Sequence, residues 1–473
     1  MHVLQSSGSS TSVMEVELEP VYMSSALPKQ DIVDIPTYKP PSCQRSRKDG
    51  SGTLEQDRSP LPPPNTAAEV VQRWNYPRKN IPRVASCFWS FVVMGSNDAA
   101  YGPLIPYIQA HYGLTYLIVS LIFLTPFVGY TAAAFLNNVI HLRMGQRGVA
   151  FLCSGCHLLS YIIIAVHPPY PVLVIAFMLA GFGNGVCDAG WNAWIGNMAR
   201  ANELLGFLHG LYGAGAVLSP LIATTMITKA NLPWYTFYYL MVGMAAIEVV
   251  VSGTCFWTAT GREYRESLAK HSDSAKGGLR EALFKKPAAR VTWLCALFLL
   301  GYVGLEVALG GWIVEFMIQV RKGEPFASGM TATGFWLGLT IGRVVLGFVT
   351  PRIGEKRAII IYLPITMGLE LLFWLVPQFY VSAVAVGLQG FFIGPLFPAA
   401  IVAVSKLLPR HLHVGAIGFA AAFGGSGAAV LPFAVGAIAQ AKGVQVLQPI
   451  ILALLGVILI FWIGLPRMDK KKE

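Results

Sequence analysis

The chain has 473 residues and a formal net charge of +11, from 35 Lys and Arg against 24 Asp and Glu. Only 12% of the residues are charged and 54% are apolar, whereas a soluble domain carries about 25% charged residues. That charge is too sparse to solvate a globule of this length, which excludes a soluble enzyme, a fibrous protein and a disordered scaffold as the main body and leaves a polytopic membrane protein.

Residues 1–82 are polar and Pro-rich, with runs such as PPSCQRSRKDGSG and SPLPPPN. Such composition cannot bury a core, so a disordered tail is expected. The tail lacks an apolar h-region, so no cleaved signal peptide is expected and the first span must direct insertion. A helix needs about 20 apolar residues to cross the hydrocarbon layer. Twelve such stretches follow, at 84–108, 115–140, 148–166, 171–196, 204–228, 236–259, 290–318, 328–349, 358–376, 380–404, 413–439 and 446–465. The connections are short except 260–289. The expected fold is therefore all-α, with twelve transmembrane helices in two six-helix bundles. These are an N-terminal bundle at 83–259 and a C-terminal bundle at 290–465, with a central loop at 260–289 between them and a short tail at 466–473.

Cytoplasmic loops carry an excess of Lys and Arg. With the amino terminus inside, 24 of these residues fall on inner segments and four (Lys229, Arg321, Lys322 and Lys442) on outer ones. Both termini and the central loop are thus expected in the cytoplasm, with the plasma membrane as the default location. The net positive charge reflects this topology, and no nucleic-acid partner is expected. Of the seven cysteines, Cys43 lies in the tail and the rest in spans, so no outer disulfide framework is available. Cys153 and Cys156 form C-x-x-C inside an apolar span, where packing is expected rather than metal or redox chemistry. The chain also has no N-x-[ST] sequon.

Slid on itself by about 209 residues, the sequence repeats, as transporter halves do. Gly181-Phe182-x-x-Gly185 meets Gly390-Phe391-x-x-Gly394, and Arg143-x-Gly145-x-Arg147 meets Arg352-x-Gly354-x-Lys356. Gly95 and Ala99 fall on Gly304 and Ala308. At an offset of 212, Gly213-x-Gly215-Ala216-x-x-x-Pro220 meets Gly425-x-Gly427-Ala428-x-x-x-Pro432. Small residues at these positions let helices approach closely in lipid.

The stretch Gly342-Arg343-x-x-x-Gly347-x-x-x-x-Arg352-x-Gly354-Glu355-Lys356-Arg357 resembles the signature loop of the major facilitator superfamily. Its counterpart around Arg143, Gly145 and Arg147 is degraded. The signature's usual Asp is replaced by Leu142 in one copy and Pro351 in the other. Arg143, Arg147, Arg343, Arg352 and Arg357 are candidates for clamping inner helix ends. Gly95-Ser-Asn97-Asp98-Ala-Ala-Tyr101-Gly102-Pro-Leu-Ile-Pro106 resembles the first span of the fucose–proton symporter-like branch. Tyr302-Val-Gly304-x-Glu306 with Gly310-Gly311-Trp312 resembles the seventh span of that branch and its glucose-carrier and fungal relatives.

Ionisable residues within spans face the bundle interior or a water-filled path. Here they are Asp98, Asp188, Glu248, Glu306, Glu315, Arg343 and Glu370. Asp98 lies roughly 14 residues into its span, near the bilayer midplane at about 1.5 Å per residue. Asn184, Asp188 and Asn192 recur every four residues and share one helix face, flanked by Trp191. The resemblance implies proton coupling at Asp98 and Asp188; the alternative is a pair of structural buried carboxyls. Glu306 is a third candidate titrating group, placed by the repeat opposite Asn97. Asn97, Tyr101, Asn192 and Gln389 offer donors and acceptors to solute hydroxyls. Trp191 and Trp312 offer indole faces for stacking, with aromatic packing as the alternative. Glu315 lies close to the outer water, and Glu248 and Glu370 have no polar stripe around them; all three are expected to be structural or rim residues, and His209 and Tyr212 are expected to bond helix to helix.

The leading reading is a secondary transporter importing a small, polar, sugar-like solute with protons. It would work as a monomer in the bilayer, with no cofactor or metal. Proton-driven export stays open. Antiporters of the superfamily carry G-x8-G-x3-G-P-x2-G-G, and here Gly206, Gly215, Ser219, Pro220, Ala223 and Thr224 occupy those positions. A non-transporting receptor on the same scaffold is a third reading. A membrane enzyme is disfavoured, since the chain has no H-E-x-x-H, nucleophile elbow or phosphate loop.

Overall fold

The computed structural model describes residues 72–269 and 278–466. The described residues belong to one compact unit. In chain order the helices are α1 (Asn80–Tyr112), α2 (Tyr116–Val119), α3 (Leu121–Ala165), α4 (Tyr170–Gly196), α5 (Ala201–Thr228) and α6 (Phe237–Cys255). Two short helices follow, α7 (Gly261–Ala269) and α8 (Gly278–Phe284). The chain then continues through α9 (Ala288–Gln319), α10 (Pro325–Ile353), α11 (Glu355–Leu375), α12 (Phe379–Ile393), α13 (Leu396–Leu407), α14 (Arg410–Lys442) and α15 (Leu447–Ile463).

The protein is an all-helical membrane protein, as composition requires, because lipid offers backbone groups no partner outside a helix or a closed barrel. Among the described residues, ten helices are long and apolar enough to cross a membrane. Two expected stretches share one of these, Tyr116–Ala165, which is broken at Gly145 (φ 68°, ψ −162°). Helix α1 is not among the ten; Ser86, Ser90, Ser96, Asn97 and Asp98 dilute its apolar character. The stretch expected at 380–404 is interrupted after Ile393 and continues as α13. The central loop carries α7 and α8, where no helix was expected.

Residues 72–82, placed in the disordered tail by composition, are ordered. The Asn80 amide donates to Gln72 Oε1 at 3.2 Å and to the Arg73 carbonyl at 3.0 Å, while the Ala199 N–H donates to the Gln72 carbonyl. The Asn80 side chain thus ties this segment to α1, and one backbone bond ties it to the residues just after α4. The rest of the expected tail, 1–71, and the basic residues Arg467 and Lys470 to Lys472 lie outside the described residues.

The internal repeat reappears as repeated packing. A Cβ at Gly181 of α4 would collide with the Pro126 carbonyl of α3, and one at Gly390 of α12 with the Phe335 carbonyl of α10. Likewise Gly215 of α5 sits on the Val92 carbonyl of α1, and Gly427 of α14 on the Leu300 carbonyl of α9. In both halves, the same glycines let equivalent helices touch backbone to backbone. The two signature-loop glycines also correspond, with φ of 68° at Gly145 and 95° at Gly354. Each turns the chain where an L side chain is disfavoured.

A side chain at Gly354 meets no neighbour within 4 Å, whereas one at Gly145 meets the Thr260 backbone. Gly354→Ala should therefore cost about 1–2 kcal/mol from backbone strain alone, and Gly145→Ala clearly more. Melting of the purified variants in detergent checks this, and equal losses at the two positions would contradict it.

Candidate functional site

Asp98 projects from the middle of α1, a helix that pairs with α5 and touches α4. Its Oδ1 accepts hydrogen bonds from Asn184 Nδ2 of α4 at 2.9 Å and from the adjacent Asn97 Nδ2 at 3.2 Å. Its Oδ2 accepts from the Tyr212 hydroxyl of α5 at 3.1 Å. Asn97 also donates to Tyr101 Oη at 3.0 Å, and both residues are buried. Three helices thus converge on one carboxylate through neutral donors. Among the described residues, no salt bridge reaches it.

The network continues behind Asp98. Asn184 Oδ1 accepts from His157 Nε2 of α3 at 2.9 Å, and His157 Nδ1 lies 2.9 Å from Glu248 Oε2 of α6. His157 and Glu248 are both fully buried. Composition and motif gave His157 no role and read Glu248 as a structural or rim residue. The available signal was that an imidazole in the third span and a carboxyl in the sixth, both in hydrocarbon, each need a partner.

Asp188, one turn along α4, accepts from Asn192 Nδ2 at 2.7 Å, and Asn192 Oδ1 lies 3.2 Å from His209 Nε2 of α5. The expected stripe therefore divides. Asn184 serves Asp98, while Asp188 and Asn192 form a second cluster with His209. Asp188 is half-buried and His209 exposed.

Glu306, the third candidate from sequence, is paired with a cation. Both of its oxygens accept from Arg343 Nη2 of α10, at 3.0 and 3.2 Å, with side-chain exposures of 8% for Glu306 and 23% for Arg343. The same pair removes Arg343 from the expected clamp, since it sits ten residues before the end of α10. Tyr212 is within electrostatic reach of both Glu306 and Arg343, and His209 within reach of Arg343. The polar groups of the two halves therefore face one another.

The expected stacking tryptophans are sealed. Trp191 is fully buried and stacks on Phe256 with ring centroids 4.6 Å apart. Trp312 is fully buried, donates from Nε1 to the Pro432 carbonyl at 2.9 Å, and packs on Tyr116 and Phe123. Gln389 is fully buried in the C-terminal half beside Glu370, away from the Asp98 network. Of the six residues expected to bind solute, only Asn192 lies in the half-exposed polar cluster.

At the basic end of the helices, Arg143, Arg352 and Arg357 are exposed, and Arg147 places its guanidinium 5.5 Å over the Trp257 ring. Other residues hold the helix ends there. Arg83 donates to the Cys255 carbonyl and to Thr258 Oγ1, both at 3.0 Å. Lys356 donates to the Ile463 carbonyl at 3.2 Å, and Glu355 pairs with Lys406 at 2.7 Å.

The halves meet tightly at the opposite end. Tyr116 donates to Glu315 at 3.0 Å, Lys229 lies 4.3 Å over the Phe326 ring, and Gly102 contacts the Gly310 backbone. Toward the basic end, Asp188, Asn192 and Arg343 are half-buried and His209, Phe207 and Gly206 exposed. The polar centre is thus partly exposed on its basic side, while the two halves touch on the other.

Comparison with known proteins agrees with this architecture. The family model described as Major Facilitator Superfamily matches residues 87–329 and 306–473. Bypass of stop codon protein 6 of Saccharomyces cerevisiae is 30% identical over 420 residues, covering 83% of this chain and 84% of the relative. The glucose/mannose transporter GlcP of Bacillus subtilis is 22% identical over 351 residues, covering 73% and 85%. Among solved structures, a D-xylose-proton symporter superposes with a TM-score of 0.65 at 13% identity, covering 83% of this chain and 99% of that one. FucP in the outward conformation gives 0.57 at 16% identity, covering 82% and 99%. These structural likenesses show the fold. The chain belongs to the major facilitator superfamily.

Proposed function

We propose that the chain carries a small, polar, sugar-like solute across the membrane with a proton, and that Asp98 is the proton's binding site. The observation that supports this most is the Asp98 carboxylate, suspended among Asn97, Asn184 and Tyr212 with no cationic partner among the described residues. It can take or release a proton without breaking an ion pair. Glu306, locked to Arg343, cannot. The glucose/mannose transporter and the D-xylose-proton symporter among the similar proteins favour a sugar-like cargo.

In this reading the basic end faces the cytoplasm, both termini lie there, and the bundles 83–259 and 290–465 rock about the central polar layer. The structure then corresponds to an inward-open state. Asp188, Asn192 and His209 line the way from the cytoplasm to Asp98 and offer hydroxyl-matching groups to the solute. The protein works as a monomer in the plasma membrane.

In proteoliposomes, Asp98→Asn should abolish solute accumulation driven by a pH gradient while solute counterflow continues, because exchange needs no net proton movement. Accumulation at the wild-type level would refute the assignment. A second expectation concerns the ion pair. Arg343→Met strands a buried carboxylate and should destabilise the protein by roughly 3–5 kcal/mol. Adding Glu306→Gln should recover most of that loss in a thermal melt. No recovery would mean that Glu306 is not what holds Arg343.

A further inference from the structure

Burying both an imidazole and a carboxyl in the apolar core of a bundle is costly unless each is partnered. His157 and Glu248 partner each other at 2.9 Å, yet Glu248 Oε1 has no hydrogen bond. The pair is joined to Asp98 through a single side chain, the Asn184 amide, with 2.9 Å on either side. A purely structural ion pair needs no such link to the site where a proton is carried.

An amide has a donating end and an accepting end, and this fixes the protons around it. With Asp98 ionised, Asn184 donates to Asp98 and its oxygen accepts from His157 Nε2–H. His157 Nδ1 and Glu248 then share one further proton, so the pair is neutral and Asp98 carries the negative charge. With Asp98 protonated, its O–H donates to the turned-over amide oxygen and the amide nitrogen donates to a bare Nε2. His157 then keeps its one proton on Nδ1, facing an ionised Glu248. Between these arrangements the Nε2–H bond is lost and an Asp98 O–H bond is gained. The cluster holds the same number of protons in both, and the negative charge moves from Asp98 to Glu248.

We infer that His157 and Glu248 form a second proton station, wired through Asn184 to Asp98, so that before a proton is taken up from water the N-terminal bundle's one negative charge is shared between the two stations, and uptake of that proton cancels it. This rests on Asp98 being the coupling carboxyl. His157 and Glu248 act through Asp98 and are positioning residues, since neither meets the opening. The other titratable groups around them are weak acids. On α3, Tyr161 stacks on His157 with centroids 5.8 Å apart. Cys153 of α3 and Cys187 of α4 bring their sulfurs within 4.8 Å of a Glu248 oxygen. Tyr238 of α6 and Tyr101 of α1 lie next to Tyr161 and Asp98. Tyr212 of α5 completes the shell and faces Glu306 and Arg343 beyond it. None of these can replace Glu248 as a holder of negative charge near neutral pH.

The test is the pH profile of solute counterflow in proteoliposomes, with melting temperature recorded for each protein. Glu248→Gln keeps a hydrogen-bonding partner for His157 and should fold. It should retain maximal counterflow within about twofold while moving the pH midpoint by about one unit, as expected when a neighbouring charge is removed. Asn184→Ala, which cuts the wire, should also move the midpoint, and Glu248→Gln added to it should change nothing more. In an Asp98→Asn background, Glu248→Gln should have no effect on the profile. A wild-type midpoint in Glu248→Gln, or a shift that persists in the Asp98→Asn background, would overturn the inference. If Glu248→Gln does not fold, Glu248→Asp replaces it and should restore the wild-type midpoint in protein that melts normally; an unrestored midpoint overturns the inference equally. Wild-type accumulation in Asp98→Asn would instead bring down the underlying transport reading, so the two failures are distinct.

Discussion

A single carboxylate held by neutral donors at the meeting point of α1, α4 and α5 is the constraint around which the N-terminal half is arranged. In hydrocarbon, Asp98 cannot be left to water, and among the described residues no salt bridge neutralises it. Asn97, Asn184 and Tyr212 each spend their hydrogen bonds on it. Asn184 in turn requires His157, and His157 requires Glu248. Five helices are thereby tied to one point by polar contacts. Apolar side chains fill the rest of each interface and carry little directional information of their own.

The C-terminal half solves the same problem differently. At the corresponding depth it places Glu306 and Arg343 against each other, a pair that is electrically complete. One half therefore holds its carboxylate with neutral donors, and the other holds its carboxylate in an ion pair. The glycine contacts are nevertheless matched between halves, from Gly181 and Gly390 to Gly215 and Gly427. Backbone packing has kept the duplicated plan where the chemistry has diverged. Paired bundles of matched helices around an asymmetric polar centre can open to one side and then the other without disturbing either bundle's interior.

Much of the fold was legible because lipid makes hydropathy and small-residue spacing strong signals. The apolar stretches, the repeat and the signature loop at Gly354 all correspond to observed elements. The break at Gly145 also follows from the repeat, since Gly354 occupies the same position and has the same sign of φ. The order at 72–82 did not show in composition, because it depends on a few side-chain bonds from Asn80. Within the site, Asp98 stood out as a charge in a span, but its partners did not. His157 and Glu248 are separated by 91 residues, and no periodicity connects them. Trp191 and Trp312 were misleading for a related reason, since an indole in a span reads the same whether it packs on Phe256 or waits for a sugar. Arg343 likewise sits in a family motif, while its actual partner lies on α9.

The most direct test of the account is solute-evoked proton movement in tight liposomes that hold the purified full-length protein and a pH-sensitive dye, challenged in turn with hexoses, pentoses and polyols. The account predicts that at least one of these solutes drives protons across the membrane in its own direction of travel. A solute that crosses with no accompanying proton, or one that drives protons the opposite way, would contradict it.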